Sequence, residues 1–70
     1  MISLTIKIAG NGRIEETHTT VEEGLTYEDL FDILDLNPEA VVALKEGIPI
    51  PADDFVEAGE IEIVHVVSSG

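Results

Sequence analysis

One stretch of this chain, and only one, carries the spacing of an amphipathic helix. Tyr27, Leu30, Phe31 and Leu34 recur at three- and four-residue intervals and define one apolar face. Thr26 precedes them as an N-cap, and Asp29 three residues later completes a capping-box-like pair. Glu28 and Asp29 also suit the positive end of the helix dipole. Asp32 and Asp35 turn toward water. Asn37-Pro38 is expected to close the segment, because the residue before a proline is pushed out of the helical region. A lone amphipathic helix has no helical neighbour to receive its apolar face. It must bury that face against a sheet, and the rest of the chain has to supply one.

The flanking segments have that character. Ile2, Leu4, Ile6 and Ile8 fall on one face, with Ser3, Thr5 and Lys7 on the other, the period of a half-buried strand. Gly10-Asn11-Gly12 is a turn signal, since these residues accept positive φ. Arg13 to Val21 reads as a second strand, with Ile14 and Val21 its only aliphatics, which suits the edge of a sheet. After the helix, Ala40 to Lys45 is a short β-branched strand turned by Glu46-Gly47. Ile48-Pro49-Ile50-Pro51 is extended, but its two prolines remove donors, which suits an edge or an irregular segment. Ala52 to Val56 reads as a loop pinned by Phe55, Ala58-Gly59 as a turn, and Glu60 to Val67 as the final strand. The N-terminal hairpin and the final strand then pair across a long sequence gap. That order is the β-grasp arrangement, an α+β fold with a mixed sheet packed on one main helix. Residues 1–67 are assigned to this domain and residues 68–70 to a C-terminal tail.

Composition narrows the functional classes. Fifteen Asp and Glu face only Lys7, Lys45 and Arg13, a formal charge of −12. Phosphate backbones and anionic membrane surfaces repel such a chain, so neither nucleic acid nor membrane is expected as a partner. Two readings of the acidity stay open: docking to a basic partner surface, and solubility or a salty cytoplasm in which screening makes the charge tolerable. Cysteine is absent, which removes disulfides, thiolate zinc sites and cysteine nucleophiles and fits a reducing, cytoplasmic setting. The start lacks the basic stretch and apolar block of a secretion signal. No apolar run approaches the ~20 residues of a membrane span. A monomer is expected.

The last residues are Ile61-Glu62-Ile63-Val64-His65-Val66-Val67-Ser68-Ser69-Gly70. An apolar strand gives way to two serines and a glycine. The terminal carboxylate is expected on a thin thread beyond the fold, and glycine leaves it unshielded, so that a narrow enzyme channel reaches it.

The stretch Val42-Ala43-Leu44-Lys45-Glu46-Gly47-Ile48-Pro49-Ile50-Pro51-Ala52-Asp53-Asp54-Phe55 resembles the central segment of ThiS-type sulfur carriers. Leu36-Asn37-Pro38-Glu39 and the terminal strand ending in glycine extend the likeness. The chain is also similar to the small archaeal ubiquitin-like modifiers (SAMP proteins) and, less closely, to MoaD-type carriers. In such families a ubiquitin-activating-type enzyme uses ATP to adenylate the C-terminal glycine. The acyl-adenylate becomes a thiocarboxylate that donates sulfur, or it is joined to a substrate lysine. The resemblance therefore implies that Gly70 is the group acted upon. It implies a chain that is not itself an enzyme, binds no cofactor, and has as partners the activating enzyme and a sulfur-transfer enzyme or target proteins. These families usually end in Gly-Gly, whereas here Ser69 stands before Gly70. Either serine occupies the penultimate position, or a further glycine follows, or the chain is trimmed.

Alternation in the last strand puts Ile61 and Ile63 toward the core and Val64 and Val66 outward with Glu62. Val42 and Leu44 join them if the two strands are neighbours. Aliphatics beside acids form a candidate partner-binding patch, the kind that ubiquitin-like proteins use to dock on their enzymes. The alternative is scattered aliphatics on a solvated sheet. His65 has core parity near a strand end and reads as a packed or rim residue. With His18 it completes the imidazoles, and no second ligand stands at metal-site spacing. Glu15-Glu16, Glu22-Glu23 and Asp53-Asp54 read as solvated charge. Lys7 and Lys45 are the only side-chain amines and hence, with the N-terminus, the candidate sites for self-linked chains. Sulfur donation and lysine conjugation both remain open. So does a different class of function: a β-grasp interaction module that never uses its terminus.

Overall fold

A computed structural model describes residues 1–10 and 12–66. It contains β1 (Ile2–Gly10), β2 (Arg13–Val21), α1 (Tyr27–Ile33), β3 (Val41–Lys45), β4 (Ile48–Ile50) and β5 (Gly59–His65). The five strands form one sheet in the order β2-β1-β5-β3-β4. β1 pairs antiparallel with β2 and parallel with β5, while β3 runs antiparallel to both β5 and β4. This is the β-grasp topology expected from the pattern: the first and last strands lie side by side at the centre, and the helix covers one face.

Pleating decides which residues meet the helix. Leu4 and Ile6 of β1, Val41 and Ala43 of β3, and Ile61 and Ile63 of β5 all point to one side and are buried. Tyr27, Leu30 and Phe31 of α1 meet them, with Val21 and Val56 in the same cluster, and partly buried residues including Ile2, Ile8 and Leu34 pack against it. Each large aliphatic or aromatic side chain buried here is worth about 1.5–3 kcal/mol against exposure, and in so short a chain few such contributions can be spared.

The helix starts as the sequence indicates. Thr26 Oγ1 accepts from the Asp29 N–H at 3.3 Å and Asp29 Oδ2 accepts from the Thr26 N–H at 3.3 Å, a closed capping box. Two further amide donors of the first turn would have no helical acceptor. The 52–56 loop supplies acceptors: Tyr27 N–H donates to the Asp54 carbonyl (3.1 Å) and Glu28 N–H to the Ala52 carbonyl (2.9 Å).

The helix stops earlier than expected. Its end is a Schellman closure, with Leu36 N–H donating to the Phe31 carbonyl (2.8 Å), Asp35 N–H to the Asp32 carbonyl (3.1 Å), and Asp35 at φ 60°. Asn37-Pro38 instead opens a separate turn, in which Ala40 N–H donates to the Asn37 carbonyl and Glu39 N–H to Asn37 Oδ1. Phe55 does not pin its loop either, being 67% exposed. The anchor is the next residue: Val56 is 3% exposed, and its N–H donates to the Leu25 carbonyl at 2.7 Å. The final strand is described from Gly59 to His65; Val67, its expected limit, lies outside the described residues. β3 and β4 join through Glu46 and Gly47, both at positive φ (54° and 80°), the signature of a type I′ hairpin turn.

Candidate functional site

The face of the sheet opposite the helix has its own order, fixed by strand register. Ala9 of β1 lies beside Ile14 of β2 and Val64 of β5, and Val64 lies beside Val42 of β3. A row of four apolar side chains, Ile14–Ala9–Val64–Val42, therefore crosses four strands, about 14 Å at the usual interstrand spacing. The next row along the strands is Glu16–Lys7–Glu62–Leu44–Pro49. Leu44 stands diagonal to Val64, within side-chain reach. Val42, Leu44 and Val64 are half-buried by one another, and Ile14 is 72% exposed. The outward assignment of Val42, Leu44 and Val64 thus holds.

Ile14 and Ala9 belong to this row, although the sequence does not single them out. Ile14 looks like a stray aliphatic on a polar strand. Only the β1–β2 register, set at the turn by Gly10 opposite Arg13, places it beside Ala9, and only the parallel β1–β5 register carries the row onward.

Val66 follows the end of β5. It is 60% exposed, and its N–H still donates to the Ala40 carbonyl at 2.9 Å, so the chain stays tied to the start of β3 up to this point. Val67, Ser68, Ser69 and Gly70 lie outside the described residues, and with them the candidate reactive glycine and the tail.

His65 is a rim residue. Its ring lies over the backbone of Gly10, where an added Cβ would meet Nδ1 at 2.7 Å, and Nδ1 is 3.4 Å from the Ala9 carbonyl oxygen. The Nδ1–H tautomer donates there. Core parity does not bury it, because at the strand end no helix remains above it. His18 is exposed on β2, with Thr5 Oγ1 at 3.1 Å and Glu16 Oε2 at 3.4 Å.

The two lysines occupy different settings. Lys7 stands in the middle of the outer face, in the row between Glu16 and Glu62, with Nζ 3.6 Å from Glu60 Oε1. Lys45 sits at the sheet end beside the β3–β4 turn, with Nζ 3.6 Å from Glu57 Oε2. Both pairs are solvent-exposed and contribute little to stability, so neither amine is locked in place. The acidic pairs Glu15-Glu16, Glu22-Glu23 and Asp53-Asp54 are exposed. Among the described residues no charged or amide side chain, histidine, serine or threonine is buried, and the hydroxyl of Tyr27 is the polar group that the core carries.

The sequence as a whole has recognisable relatives. It is 39% identical over 70 residues to an uncharacterized protein of Archaeoglobus fulgidus, covering 99% of this chain and 100% of that one. It is 29% identical over 69 residues to small archaeal modifier protein 2 of Haloferax volcanii, again covering 99% and 100% of the two chains. The family described as Small archaeal modifier protein 2 matches residues 2–67, nearly everything from the first strand to the end of the last. Members of that family are small modifier proteins, not catalysts themselves. With its β-grasp topology and a match running across every element of the fold, this chain belongs to the small archaeal modifier protein 2 family.

Proposed function

We propose that this modifier is itself the substrate of an ATP-dependent, ubiquitin-activating-type enzyme, with the carboxylate of Gly70 as the group activated. The carboxylate attacks the α-phosphorus of ATP and pyrophosphate leaves, giving an acyl-adenylate. A sulfur nucleophile delivered by a partner then displaces AMP to form a thiocarboxylate, or a lysine ε-amine displaces it to form an isopeptide bond. The chain contributes recognition and a reachable terminus. The ATP is bound by the partner.

One observation carries this reading: β5 belongs both to the apolar outer row, through Val64, and to the segment that continues into the tail, through Val66. An enzyme seated on Val42, Leu44, Val64 and Val66 would have the chain leaving toward Gly70 from the edge of its own footprint. Membership of a modifier family supports the same conclusion. Glycine suits the reacting position because it adds no side chain beside the carboxylate. Lys7 and Lys45 are the amines through which copies would be linked if the acyl group passes to this chain itself.

The test is ATP–pyrophosphate exchange by the cognate activating enzyme, using protein with its natural terminus. Wild-type protein supports exchange. Deletion of Gly70 abolishes it with no change in melting temperature, because a terminal residue contributes little to the core. Gly70→Val is poor, since a β-branched side chain stiffens and crowds the reacting carbon. Intact-mass analysis of the product then separates the outlets, a thiocarboxylate from a lysine conjugate. Full exchange without residues 68–70 would refute the carrier reading and leave a plain interaction module.

A further inference from the structure

Among the described residues the sheet has two edges without a further strand, β2 and β4, and they are protected very differently. β4 is three residues long, contains Pro49 and is followed by Pro51, so it offers little to a passing strand. β2 is nine residues long and has neither proline nor lysine. It pairs with β1 residue for residue from Val21 to Arg13 without a bulge. Alternate residues of such a strand turn their N–H and C=O groups away from β1. Along its second half the sequence is Thr17-His18-Thr19-Thr20-Val21, mostly β-branched and uncharged apart from any proton on His18.

Beside that half of the edge lies an open apolar groove of about 240 Å³. Val21, Leu25, Met1 and Ile33 line it, the last two 84% and 63% exposed, together with Thr19, Thr20 and Glu22. Leaving Ile33 outside the core is not a requirement of the helix, whose buried face is Tyr27, Leu30 and Phe31. Acids bracket the site. Glu15 and Glu16 stand at one end of the edge, and Glu22 and Glu23 follow its other end. No lysine or arginine lines the groove.

We propose that the Thr17–Val21 edge and this groove bind an extended peptide segment of a partner protein, added to the sheet as a sixth strand. Main-chain hydrogen bonds to β2 would hold it. Aliphatic side chains at alternate positions enter the groove, and lysines or arginines at both ends meet the two glutamate pairs. Glu16 and Glu22 are six residues apart, about 20 Å along a strand, so the segment has five or so residues between its basic ends. A second copy of this chain is the wrong occupant. Each copy carries −12, and antiparallel pairing of two β2 edges would bring four glutamates together at close quarters. The site is at the end of the sheet opposite Val66, since Val21 pairs with Ile2 whereas Val64 pairs with Ala9. A partner can therefore occupy it while an enzyme holds the outer face and tail.

The experiment is amide NMR titration of isotopically labelled full-length protein with the synthetic peptide Lys-Lys-Val-Thr-Ile-Thr-Val-Lys-Lys. Expected shifts are confined to Glu15–Glu23, Leu25 and Ile33, and affinity falls at least about fivefold between 50 and 500 mM salt as the end charges are screened. The same peptide N-methylated at alternate residues keeps its charge and side chains but not the ladder donors, and it loses binding. Ile33→Ser, at an exposed position, lowers affinity about tenfold without altering the activation of Gly70. Equal binding of the N-methylated peptide would reduce the effect to non-specific charge and overturn the proposal. So would shifts centred on Val42 and Val64, no binding at millimolar peptide, or a concentration-dependent dimer whose perturbed amides are those of β2.

Discussion

Val64→Asp separates a docking face from an idle one, because docking of the activating enzyme on the outer face, as proposed, would give it very different effects in the free and the bound protein. In the free protein Val64 lies between Ala9 and Val42 on the outer face and is only half-buried. The substitution removes a cross-strand aliphatic pair, about 0.2–1 kcal/mol, and introduces a residue disfavoured in strands. The new carboxylate reaches water, so a total of about 1 kcal/mol is expected. For a domain of this size that lowers the melting temperature by about 4–8 °C and leaves it folded. In the complex the same carboxylate would be buried without a partner, at about 3–5 kcal/mol, a 10²- to 10³-fold or greater loss in affinity. The assay is pyrophosphate exchange over a concentration series of this protein, with thermal denaturation followed by circular dichroism. KM is expected to rise by at least 10²-fold, with kcat recovering at saturation. Ile63→Asp provides the contrast: Ile63 is 0% exposed, and a charge there exceeds the whole stability of a small domain. A folded Val64→Asp protein with unchanged KM would refute the docking argument, and an unfolded one would show that the faces are assigned backwards.

Three further outcomes follow from the same geometry. Thr26→Ala opens the capping box on a seven-residue helix and is expected to cost about 1 kcal/mol, read as a lower urea midpoint at constant m-value. Glu46→Asn is expected to stabilise by about 0.5–1 kcal/mol, since Glu46 sits at φ 54° and Asn-Gly is the preferred type I′ pair; an unchanged or lower midpoint would count against the turn assignment. If the −12 charge steers a basic partner, stopped-flow association slows steeply from 20 to 200 mM salt, while the melting temperature of the free protein rises as self-repulsion is screened; a salt-independent rate would leave solubility as the account of the charge.

Much of this fold is legible in the sequence because local and global signals agree. The Ile2-Leu4-Ile6-Ile8 alternation, the Thr26–Asp29 capping pair and the Glu46-Gly47 turn each state in a few residues what the tertiary structure requires. Where the structure departs from the sequence pattern, the cause is a contact between distant segments or a weak local signal. Proline makes Asn37-Pro38 the conspicuous stop, whereas the chain turns at Asp35 (φ 60°), a residue that enters the left-handed region less readily than glycine. Phe55 looked like the loop's anchor because of its size. The neighbour that points inward is Val56, and that choice follows from the antiparallel bridge between Thr26 and Phe55. The outer patch was half legible: Val42, Leu44, Val64 and Val66 follow from strand parity. Ile14 and Ala9 need two registers, one of them between strands whose paired residues are 55 apart in sequence.

The outer row and the bare β2 edge raise the same physical question, and the acidity answers it. Threonine would satisfy the strand preference at Ile14, Val42 and Val64 as well as an aliphatic does, so the fold does not demand an apolar row in water. Nor does it demand an edge of nine residues without a bulge or proline. Both features favour association with whatever approaches, including other copies of the chain. A charge of −12 on 70 residues acts against this in a selective way. It repels identical molecules over the Debye length, yet it attracts a basic surface over the same distance. Solubility and partner choice are therefore not competing accounts of the glutamates and aspartates. If the proposed docking holds, the repulsion that lets these surfaces stay exposed would also favour occupants of opposite charge.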